Sequence, residues 1–255
     1  MRRQGDAVWK LLLALALGSA VPQPALAYTS LSVVPSFFVG KNANGSQVKA
    51  YDLPLTLSHH ADAWRVSITV PLLAVTGPGV LSAGSLYLVP RAFGTRAGLG
   101  DIWLEGSYTL DSPARLRPAV LPYVLIKLPT GARARGLGTG RTGYEAGTSL
   151  LWHWARFYPM ARLGYRVIRN SHGYQWRDTV LVAGGMTYNF GKVGFATLEF
   201  ERRGTGYHHQ PPSETLFLSY TKQINRRLSV TAYGLHGFTT SSTGYGLGAG
   251  AIIRF

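Results

Sequence analysis

The chain has 255 residues, 26 Lys and Arg against 11 Asp and Glu for a net charge of +15, and no cysteine. The missing cysteine excludes a disulfide framework and a lipoprotein anchor. No apolar run after the N-terminus is long enough for a transmembrane helix. Charged residues make up only 15% of the chain, beside 31 Gly, 14 Tyr and 6 Trp, a low charge content for a soluble protein. A β-sandwich or a β-barrel in a membrane has this composition.

The N-terminus carries Arg2, Arg3 and Lys10, an apolar run from Leu11 to Leu17, and Ala25-Leu26-Ala27 before Tyr28. A basic start, a short apolar segment and an A-x-A site form a secretory signal peptide, with cleavage expected after Ala27. Losing Arg2, Arg3, Lys10 and Asp6 leaves +13 on residues 28–255. That charge suits anionic partners. Export excludes nucleic acid, and lipopolysaccharide phosphate is the natural candidate.

Alternation then predicts about twelve strands. The first covers 28–40. Loop 41–49 leads to 50–58, where Leu53, Leu55 and Leu57 alternate with Pro54, Thr56 and Ser58. A turn at 59–62 precedes 64–75, where Trp64, Val66, Ile68, Val70 and Leu72 oppose Arg65, Ser67 and Thr69. Residues 76–99 read as a long glycine-rich loop, with room for a short strand at 85–90 or for folding inwards. The central stretch has period two: Ile102, Leu104, Tyr108 and Leu110 on one face, Asp101, Glu105, Ser107 and Thr109 on the other. After the turn at 111–114, a strand over 117–128 puts Val120, Val124, Ile126 and Leu128 opposite Lys127. The loop 131–143 is glycine-rich and basic and is expected outside any core. Further strands follow at 144–152, 158–168, 177–189, 193–202, 213–222, 227–238 and 245–255. Short turns at 153–157, 189–192 and 223–226 alternate with longer loops, among them 203–212.

An even strand count, short turns on the side of both termini and longer loops opposite describe an all-β antiparallel transmembrane β-barrel of the bacterial outer membrane. Closure removes exposed edges and satisfies every backbone polar group in lipid. The last strand ends on Phe255, with Ile253 behind it at period two and Tyr245 at its start. This resembles the C-terminal signal read by the barrel-insertion machinery.

Strand parity turns Asp101, Glu105, Lys127, Glu145, Arg162, Arg166, Glu199 and Glu201 toward the interior. Asp101, Glu105, Lys127, Glu145 and Arg166 fall on four consecutive strands, about 4.8 Å apart. They are expected as a side-by-side zipper of acid, base, acid and base, which either braces the wall or forms a field at a constriction. Arg91, Arg96, Arg133, Arg135, Arg141 and Arg169 are expected on the outer loops, against lipopolysaccharide phosphate or anionic solutes. His59-His60 and His208-His209 sit at expected turns and loop tips and read as solvated rather than metal-binding. Gly136-x-Gly-x-Gly140 lacks the following helix and lysine of a nucleotide loop. No cofactor or metal is expected.

With those residues in place, the chain resembles a family of Gram-negative outer-membrane proteins described as meta-pathway phenol-degradation transporters. The segments that carry the likeness are Trp64–Gly79, Gly98-Leu-Gly-Asp101, Lys127-Leu-Pro-Thr-Gly131 and Gly136-Leu-Gly-Thr-Gly140. The resemblance implies a small barrel that passes hydrophobic or aromatic compounds, with no catalytic residues. Two other functions fit the same barrel: a structural or adhesive wall closed by its own loops, and an outer-membrane lipid hydrolase or acyltransferase. The hydrolase needs a lipid-facing Ser–His pair with an oriented partner, and Ser58 and Ser171, the serines nearest histidines, lie at expected strand ends or loops.

Overall fold

The computed structural model describes residues 27–41, 46–77, 80–82, 85–87, 94–111, 117–168, 177–204 and 211–255. The expected leader, Arg91, Arg169 and the His208-His209 pair lie outside the described residues. The fold is a closed antiparallel barrel of twelve strands, as the alternation predicts.

The strands are β1 (Tyr28–Val33 continued by Ser36–Lys41), β2 (Gln47–Ala61), β3 (Trp64–Thr76), β4 (Thr95–Leu99 continued by Ile102–Tyr108), β5 (Ala119–Leu128), β6 (Gly143–Leu151), β7 (Phe157–Ile168), β8 (Thr179–Asn189), β9 (Phe195–Arg203), β10 (Ser213–Gln223), β11 (Leu228–Gly237) and β12 (Tyr245–Arg254). Each pairs with its chain neighbours, and β12 closes on β1 through Ser30–Arg254 and Val39–Tyr245. Tyr28, Arg254 and the strand ends flanking 62–63, 109–118, 152–156, 190–194 and 224–227 lie at one end, taken as periplasmic. The strand ends flanking 42–46, 77–94, 129–142, 169–178, 204–212 and 238–244 lie at the other.

The loop expected over 76–99 is shorter than predicted. Residues Thr95–Leu99 pair with Leu72–Thr76 as the start of β4, and a small ribbon joins Val80–Ser82 to Ser85–Tyr87. The register slips by one between Leu72–Leu99 and Thr69–Trp103, so β4 carries a bulge at Gly100-Asp101. A bulge changes which face alternate residues take. Arg96 before it and Asp101, Trp103 and Glu105 after it therefore all face inwards. Alternation read straight through 95–105 misses this because the extra residue leaves no mark in the polar pattern.

The outer face is the apolar band that lipid demands: Leu163, Val182, Leu198 and Leu218 stand 47–55% exposed on adjacent strands. The inner face is largely hydroxyl. Thr56–Thr69 (2.9 Å), Thr187–Thr197 (2.7 Å) and Thr221–Thr231 (2.8 Å) bond across neighbouring strands. Large residues lock into gaps left by glycine. Tyr123 lies against Gly147 and Gly164, and Tyr233 covers Gly248 and donates its hydroxyl to Ser36 Oγ at 2.6 Å. The midwall position Leu163 faces Thr148 and Val182 across the pairing. Leu163→Arg is expected to lose about 2–4 kcal/mol of stability in lipid vesicles, the cost of a cation at the bilayer midplane. Urea unfolding followed by tryptophan fluorescence reads it, and a loss under 1 kcal/mol would show that this face does not meet lipid.

Candidate functional site: an ion lattice and an in-folded loop within the lumen

The lumen charges assemble because of which neighbours are small. On β8 the inward residues between β7 and β9 include Ala183 and Gly185, and Arg162, Ala183 and Glu201 share one register row. The Arg162 side chain therefore reaches over β8 and meets Glu199 at 2.8 Å and Glu201 at 3.1 Å. Glu145 lies directly opposite Arg166 and binds it at 2.6–2.7 Å. Arg203, three strands on at the end of β9, reaches Glu145 at 3.1 Å and Glu201 at 3.2 Å. Tyr123 donates its hydroxyl to Glu145 at 3.0 Å. Three arginines and three glutamates thus form one contiguous, electrically balanced lattice. Arg166 also lies over the Trp103 ring, 5.5 Å from its centroid.

The expected zipper runs differently. Lys127 stands opposite Gly143 rather than Glu145, so the line breaks there. Lys127 bonds Asp101 at 2.7 Å, and both side chains are under 5% exposed. Glu105 pairs with Arg65 on β3, at 3.6 Å, rather than with the central strands. Arg203, expected at the start of a loop, is the inward end of β9; only the length of that strand marks it. His60 lies within β2 rather than in a turn. It is buried and stacked on Tyr28 at 4.4 Å, while His59 is exposed and shares a 3.0 Å hydrogen bond with Thr29. The turn beyond them is only Asp62-Ala63.

The loop 129–142 corrects the expectation that it stays outside the core. Gly136 through Thr139 are buried, and Leu137 is 1% exposed. Leu137 completes an apolar cluster with Phe38, Val48, Ala50, Leu73 and Val75 in the outer half of the lumen, backed by Tyr233 and Leu235. Asp101 holds the loop there. It accepts hydrogen bonds from the Gly131 and Thr139 backbone amides at 3.1 and 3.0 Å and from the Thr139 hydroxyl at 3.3 Å, besides Lys127. Lys127 in turn donates to Thr139 and to the Arg141 carbonyl. The Thr130 hydroxyl donates to the Gly100 carbonyl and accepts from the Ile102 amide, both at 2.9 Å, filling the bulge of β4. Glycine is required in this knot. A Cβ on Gly138 would collide with Asp101 and Gly131, and Gly136 takes φ +64°.

The arginines expected on outer loops divide. Arg133 and Arg135 are exposed, and Arg135 donates to the Ala97 carbonyl at 3.0 Å. Arg141 is half-buried. Arg96 is not on a loop: it belongs to β4, is 9% exposed, lies against Gly136 and donates to the Gly77 carbonyl at 2.8 Å. Tyr245, Ile253 and Phe255 stand on the outward face of the closing strand or just past its end, 65%, 42% and 73% exposed.

Below the Leu137 cluster the lumen contains two adjoining chambers. The outer, about 250 Å³, is lined by Asp52, Pro71, Leu73, Asp101, Trp103 and Leu125 among others. The inner, about 330 Å³, reaches Ser30, His60, Arg65, Phe217 and Tyr233 toward the periplasmic end. Both touch Pro54, Ser67, Thr69 and Glu105. Among the described residues no group of three or more His, Asp or Glu is placed to hold a metal ion.

No family model matches the chain, and no curated protein matches it. Solved structures do. The COG4313 outer membrane channel from Pseudomonas putida F1 is similar at 12% identity and TM-score 0.69, over 94% of this chain and 98% of that one. The translocator domain of the autotransporter NalP from Neisseria meningitidis is similar at 12% identity and TM-score 0.56, over 99% and 95%. The transport unit of the autotransporter AIDA-I from Escherichia coli follows at 10% identity and TM-score 0.54, over 99% and 98%. At these identities the likeness is one of fold: an outer-membrane β-barrel.

Proposed function

We propose that the protein is a passive channel of the bacterial outer membrane, exported by its cleaved leader, that admits small molecules into a lumen narrowed by its own loop. The observation that carries this reading is the pair of adjoining chambers inside the wall. A purely structural barrel needs no such space, and here the voids, lined by both polar and apolar residues, begin directly beneath the loop that Asp101 holds. Loop 129–142 is the constriction, and the balanced lattice of Glu145, Glu199 and Glu201 with Arg162, Arg166 and Arg203 stiffens the wall beside it. The family resemblance, carried by residues 64–79, 98–101, 127–131 and 136–140, favours hydrophobic or aromatic solutes. Arg133 and Arg135, exposed on the in-folded loop, meet lipopolysaccharide phosphate or incoming anions, and Tyr245, Ile253 and Phe255 engage the insertion machinery. A structural or adhesive barrel is the second reading, favoured by the apolar Leu137 cluster that seals the outer half.

The test is single-channel recording in planar bilayers of protein purified in detergent from outer membranes. The channel reading expects small, steady or flickering conductance. The companion protein, with residues 132–140 replaced by a short Gly-Ser link, is expected to conduct several-fold more. Silence of both proteins would overturn the open path and leave the structural barrel.

A further inference from the structure

The cation on the wall of the inner chamber is incompletely coordinated. The Arg65 side chain is 7% exposed. Its Nη2 donates to Ser58 Oγ at 3.2 Å, but Nε and Nη1 find no hydrogen-bond acceptor among the described residues. The nearest Glu105 oxygen stands 3.6 Å from Nη1, well beyond the roughly 2.7–2.9 Å of a charge-assisted hydrogen bond. Strand pairing sets aromatic rings and a second arginine nearby. His60 lies opposite Arg65 and Tyr28 opposite His60, and the Arg254 guanidinium sits over the Tyr28 ring at 5.2 Å. On the chamber wall Glu105 is the one carboxylate set against Arg65.

Buried donors without acceptors are costly; Arg65 lines the chamber, so an anion there, met by a turn of the guanidinium, is the ligand that relieves them. The walls restrict which anion. Val34, Pro54, Phe217 and Ile252 offer apolar surface beside the hydroxyls of Ser30, Ser219 and Thr231. A fully hydrated inorganic anion gains nothing from the apolar part, whereas a carboxylate on a short hydrocarbon body satisfies both. We propose that the inner chamber is a binding site for small organic monocarboxylates, with Arg65 as the anchor of the carboxylate and Glu105 as its internal competitor. This rests on the channel reading only in treating the ligand as a solute in passage.

Isothermal titration of the whole purified protein in detergent tests the site without requiring conductance. The probes are hexanoate, hexanol, hexylammonium and inorganic phosphate. Hexanoate is expected to bind at least tenfold more tightly than the other three. Arg65→Gln is expected to weaken hexanoate at least tenfold. Glu105→Gln, which releases Arg65 from its competitor, is expected to tighten it several-fold, with heat-modifiable gel mobility confirming folded barrels. Should Arg65→Gln fail to fold, Glu105→Gln carries the test alone. Undetectable hexanoate binding, equal binding of hexanol or phosphate, or affinity unchanged or weakened by Glu105→Gln overturns the site. A silent channel that still binds hexanoate would refute the channel reading and leave the site standing. A conducting channel that ignores hexanoate would do the reverse.

Discussion

Asp101→Ala is expected to produce a barrel that still inserts but conducts several-fold more and unfolds more easily. Asp101 joins the bulge of β4, the end of β5 and the loop 129–142, accepting from the Lys127 ammonium, two backbone amides and the Thr139 hydroxyl. Its removal leaves Lys127 charged and buried with only neutral partners, and breaking such a pair from one side costs about 3–5 kcal/mol. It also removes the acceptor that draws Gly131 and Thr139 into the lumen, so Leu137 is held by its apolar contacts and the weaker ties of Lys127 to Thr139 and the Arg141 carbonyl. Single-channel conductance and the temperature at which gel mobility shifts should move together. A lower transition temperature with unchanged conductance would mean that the knot only braces the wall and that the loop does not limit passage. Asp101→Asn separates the two effects, because it keeps an acceptor for the amides while losing the charge opposite Lys127.

Glu145→Gln should give the largest stability loss of any isosteric change in the lumen. Glu145 is 4% exposed and receives Arg166, Arg203 and the Tyr123 hydroxyl. Neutralising it takes the Glu145 carboxylate from Arg166, whereas Arg203 keeps Glu201 at 3.2 Å. The expected cost is again about 3–5 kcal/mol, read by urea unfolding in lipid vesicles. Adding Arg166→Gln should recover part of it, because the double variant no longer buries a surplus cation. The shortfall from additivity should fall in the range of about 0.5–3 kcal/mol that contacting residues show. Additive losses would show that Glu145 and Arg166 do not act as a pair in the lipid-embedded protein.

Three of the segments that carry the family resemblance meet in space at Asp101: Gly98–Asp101, Lys127–Gly131 and Gly136–Gly140. Thr130 plugs the bulge, Gly138 gives Asp101 room, and Lys127 neutralises it. The Gly136-x-Gly-x-Gly140 pattern is thus a packing requirement of an in-folded loop, which agrees with the absence of a nucleotide-loop lysine.

The sequence by itself determined the strands, their alternating faces, the inward side of Asp101, Lys127, Glu145 and Arg166, and the closed twelve-stranded wall. Each depends on local periodicity and turn chemistry, which a chain displays in order along its length. Only the tertiary structure decided which charges meet. Arg162 finds Glu199 and Glu201 because β8 presents small residues between them, and Arg203 joins Glu145 across two strands. Likewise, a basic glycine-rich segment reads as solvent-exposed until closure and the one-residue bulge of β4 aim a buried carboxylate at its amides. Contacts between residues far apart in the chain depend on register and on the size of whatever lies between, and neither is written at the positions that finally touch.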